Sequence, residues 1–215
     1  AESIKKNYQS MGGKITISAS HEDGKADYGA EVSALAQAGG DILIVAGYLD
    51  QGGKGVIQGS LDAGAFDKFF LPDGMIGDSL PKAIGPDLNG SIGSIPGTDS
   101  PGAKKFASLA KSNGFKAGPF SQESYDAAAL IILAMQSAKS TKSKDLKDHV
   151  MDVANAPGEK IYPGELAKGI SLLQSGKKID YVGASAVELI GGGESSGSFR
   201  EILIKGGKVT TAGYR

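Results

Sequence analysis

The chain contains no cysteine. Disulfides, thiolate nucleophiles and cysteine-ligated zinc are therefore excluded. The compartment stays open, because secreted and cytosolic proteins alike can lack the residue. Tryptophan is also absent, and aromatics make up only 7% of the chain. There is no basic surplus: 23 Lys and Arg stand against 24 Asp and Glu, a net charge of −1. Nucleic-acid binders carry such a surplus, so nucleic acid is not expected as a partner. Long apolar runs are missing too. The most apolar one, Ala127–Met135, is less than half of the ~20 residues a membrane-spanning helix requires. Residues 1–11 carry Glu2, Lys5 and Lys6 without an apolar block, so no signal peptide is visible in them. The expectation is a mature, cytosolic or truncated chain.

What is present is ordinary globular composition with unusual glycine. Hydrophobic residues are 40% and charged residues 22%, which argues against global disorder. The 33 glycines are about twice the usual share and dispersed, so the fold is rich in turns rather than collagen-like. The 215 residues correspond to about 1.4 average domains, enough to bury about 70% of the unfolded surface.

Periodicity orders the first part of the chain. Residues 2–11 read as a helix with Ile4, Tyr8 and Met11 on one face, stopped by Gly12-Gly13. In Lys14–Ala19, Ile15, Ile17 and Ala19 alternate with polar residues, predicting a strand covered on one face, at a sheet edge. Tyr28–Ala38 predicts a helix ended by Gly39-Gly40. Asp41–Ala46 is a continuous apolar run, the pattern of a central parallel strand buried on both faces. Gly52-Gly53 opens a further helix to Ala63, and Lys68–Leu71 is a short strand broken by Pro72-Asp73-Gly74. This alternation predicts an α/β fold built on a doubly wound parallel sheet with right-handed crossovers. It also opens on a helix, half of a βαβ unit, as expected for the C-terminal part of something longer.

The remainder is less regular. Asn89–Ile95 suggests another strand, and Gly97–Gly102 a linker. Helices are expected near 103–113, 122–139, 144–155 and 164–175. Ser124–Met135 is apolar nearly all round and is expected to be deeply buried. The tail 180–209 reads as short strands around a solvent turn, Gly191–Gly197, with Ser198–Ile204 alternating before the turn Gly206-Gly207.

A doubly wound sheet binds ligands beyond the carboxyl ends of its strands. Two such ends are legible: Ala46-Gly47-Tyr48-Leu49-Asp50 and Leu71-Pro72-Asp73-Gly74-Met75. Strands joined by one crossover lie side by side, about 4.8 Å apart, so Tyr48 and Asp73 are expected on one rim. A carboxylate accepts charge-assisted hydrogen bonds from an ammonium group. A phenol offers an apolar wall, a cation–π face and a hydroxyl. Gly47 and Gly74 permit close backbone approach. The bland readings stand beside this one: Pro-Asp-Gly is a common turn, and Tyr48 can simply pack against the wall.

Other signals point away from chemistry. The two histidines, His21 and His149, are expected on the surface and make no metal site. No G-x-S-x-G elbow occurs at a strand-to-helix turn. Gly52-Gly-Lys-Gly55 lacks the spacing of a phosphate loop and reads as a helix start. The stretch Lys139–Lys147 is a solvated face. Catalytic residues, metal ligands and cofactors are therefore expected to be none.

Four segments taken together carry a resemblance: YGAEVSALAQAGGDILIVAGY (28–48), FFLPDGM (69–75), QESYDAAALIILA (122–134) and PGELAKGISLLQSGKKIDYVGASAV (163–187). The chain resembles the C-terminal portion of type I periplasmic solute-binding proteins, the branched-chain amino-acid (Leu/Ile/Val-binding) class of ABC transporter receptors. The resemblance implies two α/β lobes with a small solute held in the cleft between them, delivery to a membrane permease, and a periplasmic location. It implies that 1–97 and 183–215 form the second lobe and 98–182 the helical portion of the first. Tyr48 falls on the family's ligand-lining tyrosine and Asp73 on the acidic position receiving the ligand's amino group, with Gly47, Gly74 and Met75 beside them. The first lobe's opening strands are missing from these residues, so a completing N-terminal segment or self-association is expected to cover apolar helix surface around 103–155. Two other functions compete: a small hydrolase or transferase, which needs a nucleophile and base, and a ligand-sensing receptor domain, which needs an attached signalling module.

Overall fold

The computed structural model describes residues 1–192 and 194–215. It divides into two compact units: residues 1–95 with 201–213, and residues 96–200 with 214–215. The tail residues 183–200 thus group with the second unit.

Unit 1 follows the alternating pattern. Its elements are α1 (Glu2–Ser10), α2 (Gly29–Ala38), β1 (Leu43–Ile44), α3 (Gly53–Asp62), β2 (Phe69–Leu71), α4 (Ser79–Ile84) and β3 (Ile92–Pro96). β1 pairs parallel to β2 and β2 parallel to β3. In unit 2, α5 (Pro101–Ser112), α6 (Ser121–Ala138), α7 (Ser143–Ala154) and α8 (Leu166–Gln174) accompany a two-stranded parallel sheet of β4 (Glu159–Ile161) and β5 (Ile179–Tyr181). An antiparallel ladder, β6 (Glu188–Gly191) with β7 (Glu194–Ser196), follows. β8 (Phe199–Lys205) and β9 (Lys208–Tyr214) then complete the five-stranded sheet β1-β2-β3-β8-β9. They are joined by Gly206 and Gly207, both left-handed at φ +59° and +67°, the two-residue turn that matches strand twist.

Each unit has its own core. In unit 1, Phe69 and Leu71 of β2 are fully buried with Ile57, Met75, Leu80, Ile95, Ile202 and Ile204. In unit 2, Leu133 and Ala134 of α6 close on Val153, Ile161, Ile179 and Tyr181. Local chemistry explains the start of one helix. At α5, Ser100 Oγ accepts the Ala103 amide at 3.2 Å and Pro101 takes the first turn, where its missing N–H costs nothing.

Several expectations are corrected. Lys14–Ala19 is not a strand: it makes no ladder pairing among the described residues, and its tertiary hydrogen bond is a side-chain one, Thr16 Oγ1 to the Gly39 carbonyl at 2.7 Å. Alternation marks a face, but a strand also needs a partner backbone. In consequence β1 is the sheet edge rather than its centre, shortened to Leu43–Ile44, with Leu43 and Val45 buried and Ala46 exposed. α6 is not buried all round. Ala127, Ala128, Ile131 and Ile132 form an exposed stripe, the isoleucines 48% and 41% accessible. The solvent turn expected over Gly191–Gly197 contains all of β7 and the last residue of β6, and Gly193 within it lies outside the described residues. α4 and β4 were not foreseen. No helix among the described residues is long and apolar enough to cross a membrane.

Candidate functional site

Because β1 and β2 run parallel, their carboxyl ends open on the same side of the sheet. Beyond β1, the chain passes through Gly47 into Tyr48, whose backbone is extended (φ −112°, ψ 143°). The Tyr48 carbonyl accepts the amides of Gln51 and Gly53, both at 3.2 Å, which fixes the backbone while the phenol stays 66% exposed. Beyond β2, residues Asp73–Met75 form a single 3₁₀ turn, with the Met75 amide on the Pro72 carbonyl at 2.9 Å. Asp73 is exposed. Its Oδ1 accepts the Gly74 amide at 2.9 Å, and no cationic side chain among the described residues pairs with it.

The two tips touch. A Cβ placed on Gly74 would lie 2.5 Å from the Gly47 carbonyl oxygen, 3.0 Å from Tyr48 Cδ1 and 3.3 Å from Cε1. The Tyr48 ring therefore lies against Gly74, next in the chain to Asp73. Only glycine fits this contact. Gly74→Ala is expected to push the tips apart and cost about 1–3 kcal/mol in urea unfolding, the range for overpacking; an unchanged midpoint would show that the tips do not need the contact.

Met75 is a correction. It is fully buried beneath the rim, its thioether occupying the space over Gly53. As the last residue of the 3₁₀ turn, Met75 lies in the core beneath Asp73 and does not face solvent.

Sequence reasoning also missed the part played by His21 and Tyr28. Both belong to the segment leading into α2, and neither is simply on the surface. Tyr28 is buried, its ring filling the space over Gly52 and Gly55, and His21 is half-buried over Gly47 and Gly52. The signal was the glycines themselves: three of them are small because two rings sit on them. The other histidine, His149, is half-buried with Nδ1 2.9 Å from Ser137 Oγ. Nearby, Lys25 and Glu31 pair at 2.6 Å; this hydrogen bond raises the Lys25 pKa and lowers that of Glu31. Both side chains remain in contact with water, so the pair orients the loop more than it stabilises the fold.

An open groove of about 890 Å³ runs along α2 and α3, lined by Tyr28, Val32, Leu49, Lys54 and Gln58 among others; it does not include Tyr48 or Asp73. Its walls carry both charges and it is wide open, whereas the β1–β2 rim carries the exposed Tyr48 and Asp73. Among the described residues, no three His, Asp or Glu side chains come together as a metal site.

Comparison with known proteins places the fold. The family described as periplasmic binding protein matches residues 1–158. No curated protein sequence matches the chain. Among solved structures, a leucine binding protein from Thermotoga maritima is 17% identical with a TM-score of 0.74, aligning 98% of this chain and 54% of its own. A solute binding protein of an ABC transporter from R. palustris, in complex with 4-hydroxybenzoate, is 16% identical with a TM-score of 0.69, covering 100% of this chain and 55% of that one. A second from R. palustris, in complex with benzoate, is 14% identical with a TM-score of 0.66, covering 100% and 54%. The chain thus spans about half the length of the structures it matches.

Proposed function

Because this chain belongs to the periplasmic binding protein family, we propose that it captures a small amine-bearing solute, an amino acid or close relative, at the β1–β2 tips for delivery to a membrane ABC permease in the periplasm. One observation carries the choice of solute. An exposed carboxylate, Asp73, stands beside an exposed phenol, Tyr48, with Gly74 holding them together. An ammonium group gains a charge-assisted hydrogen bond from the first and a cation–π face from the second. A headgroup that is only a carboxylate meets like charge at Asp73, so capture of aromatic acids is not favoured here. A hydrolase needs a nucleophile within hydrogen-bond reach of a base, and among the described residues neither Tyr48 nor Asp73 is hydrogen-bonded to a titratable side chain.

In this reading residues 1–97 and 183–215 belong to the second lobe and 98–182 to the helical portion of the first, although residues 183–200 group with the helices in the compact units. Thermal shift against a panel of amino acids, amino-acid amides and benzoate is expected to show stabilisation by amine-bearing compounds and none by benzoate. Stabilisation by benzoate alone would sink the assignment of Asp73.

The exposed stripe of α6 belongs to the same reading. It is proposed to be covered by a first-lobe segment or, without one, by a second copy. Sedimentation of this chain is expected to show concentration-dependent association that Ile132→Glu reduces; equal sedimentation of both proteins across the concentration range would exclude the stripe as the contact.

A further inference from the structure

Three connections of unit 1 meet at Gly47, and only two of them carry the rim described above. The third is the segment 20–28 ahead of α2, and His21 is its contribution. The imidazole Nε2 lies 3.4 Å from where a Cβ on Gly47 would stand, and Cε1 lies 3.2 Å from the same position on Gly52. Gly47 is also the residue whose carbonyl touches Gly74 and whose successor is Tyr48. His21 therefore lies one residue from the phenol along the same rim.

The ring is held in place. Tyr28 meets it edge to face, with centroids 5.6 Å apart and planes at 88°. The Tyr28 hydroxyl donates to the Glu22 carbonyl at 3.2 Å and accepts the Lys25 amide at 3.1 Å, tying the loop to a buried phenol. His21 Nδ1 lies 3.3 Å from the Glu22 carbonyl oxygen. A carbonyl can only accept, so the neutral ring carries its proton on Nδ1 and leaves a lone pair on Nε2. Among the described residues, that lone pair has no hydrogen-bond partner, and it lies beside Gly47.

We propose that His21 is a third ligand-contacting residue of the rim, accepting a hydrogen bond from the solute's ammonium through Nε2. The proposal rests on the amine-capture reading above. Around the ring, Glu22 and Lys25 lie on its own loop, Tyr28 caps α2, and Glu31 lies in the first turn of α2, paired with Lys25 at 2.6 Å. The 47–52 segment presents backbone at Gly47 and Gly52 and the phenol of Tyr48.

The intact chain offers a direct readout, because it has only two histidines. In ¹H–¹³C NMR spectra, adding L-leucine, and then the other amino acids of the panel, is expected to move the His21 imidazole signals and leave those of His149 in place. His21→Phe, which removes the acceptor, is expected to bind the amino acid on the order of threefold or more weakly than the wild type, and His21→Gln, which keeps an acceptor, to bind within about twofold of it. Static His21 signals in a chain that an amino acid demonstrably stabilises would overturn this proposal alone, as would wild-type affinity in His21→Phe. If no amino acid binds at any pH, the amine-capture reading falls and His21 falls with it. If His21→Phe does not fold, the wild-type NMR titration still decides.

Discussion

Asp126→Ala is expected to be the most damaging single change in unit 2, costing about 3–6 kcal/mol from the loss of several charge-assisted bonds and the stranding of buried donors. Asp126 is only 2% exposed, near the start of α6. Its Oδ1 accepts the Tyr181 hydroxyl at 2.8 Å and the Ala184 amide at 2.7 Å. Its Oδ2 accepts the Ser185 amide at 2.7 Å and the Ser185 hydroxyl at 2.6 Å. A carboxylate with four donors is fully satisfied, and its removal leaves a phenol, two amides and a hydroxyl without that partner. The turn it closes depends on Gly183, which is left-handed (φ +62°) and passes so close that any Cβ would meet the Asp126 carboxylate. Tyr181→Phe removes one donor only and is expected to cost about 1 kcal/mol.

Urea unfolding measures these costs, and pH supplies an independent arm. Burial, and then the neighbouring Asp126 carboxylate, raises the Tyr181 pKa above its ordinary value. An unfolded tyrosine ionises near about pH 10, so this contribution is intact below that pH and is lost as pH rises above it. The alkaline decline of unit 2 is expected to be shallower in Tyr181→Phe. Equal alkaline slopes in the two proteins would show that the phenol is not held in this way.

Asp73→Asn is expected to weaken capture of an amino acid by more than tenfold, or about 1.4 kcal/mol, while leaving the unliganded protein as stable as before. The two halves of this expectation have separate causes. Asp73 is exposed and makes one internal bond, to the Gly74 amide, which an asparagine oxygen can also accept. What the substitution removes is the negative charge offered to an ammonium group. Calorimetric titration of the amino acid identified by thermal shift decides the matter, with the unliganded melting temperature as control. Unchanged affinity would remove Asp73 from the site; a lower melting temperature without ligand would make it a turn residue.

Much of the fold was legible because helices and buried strands write their period into the chain. α2, α3, α5, α6, α7 and α8 lie close to where 3.6-residue spacing and glycine stops put them, and β2 ends at Leu71, just before Pro72. What failed was partner choice. Lys14–Ala19 has strand alternation without a pairing, and Asp41–Ala46 has the composition of a central strand yet sits at the edge. Alternation reports which side chains prefer burial, whereas a ladder depends on a second backbone that local sequence does not specify. α6 is a similar case. Its apolar residues go all the way round, but Ile131 and Ile132 face solvent in this chain.

The amino-acid order by itself determined that an α/β fold would form and that Tyr48 and Asp73 would each follow a strand, because hydrophobic period and turn chemistry act over a few residues. Only the tertiary structure decided that Gly74 would press the two tips together, that Met75 would turn inward, and that His21, separated from Gly47 along the chain, would stand beside it. Contacts of that kind depend on how strands and loops pack in space, and small residues such as glycine reveal them only once the side chains filling their vacant Cβ positions can be seen.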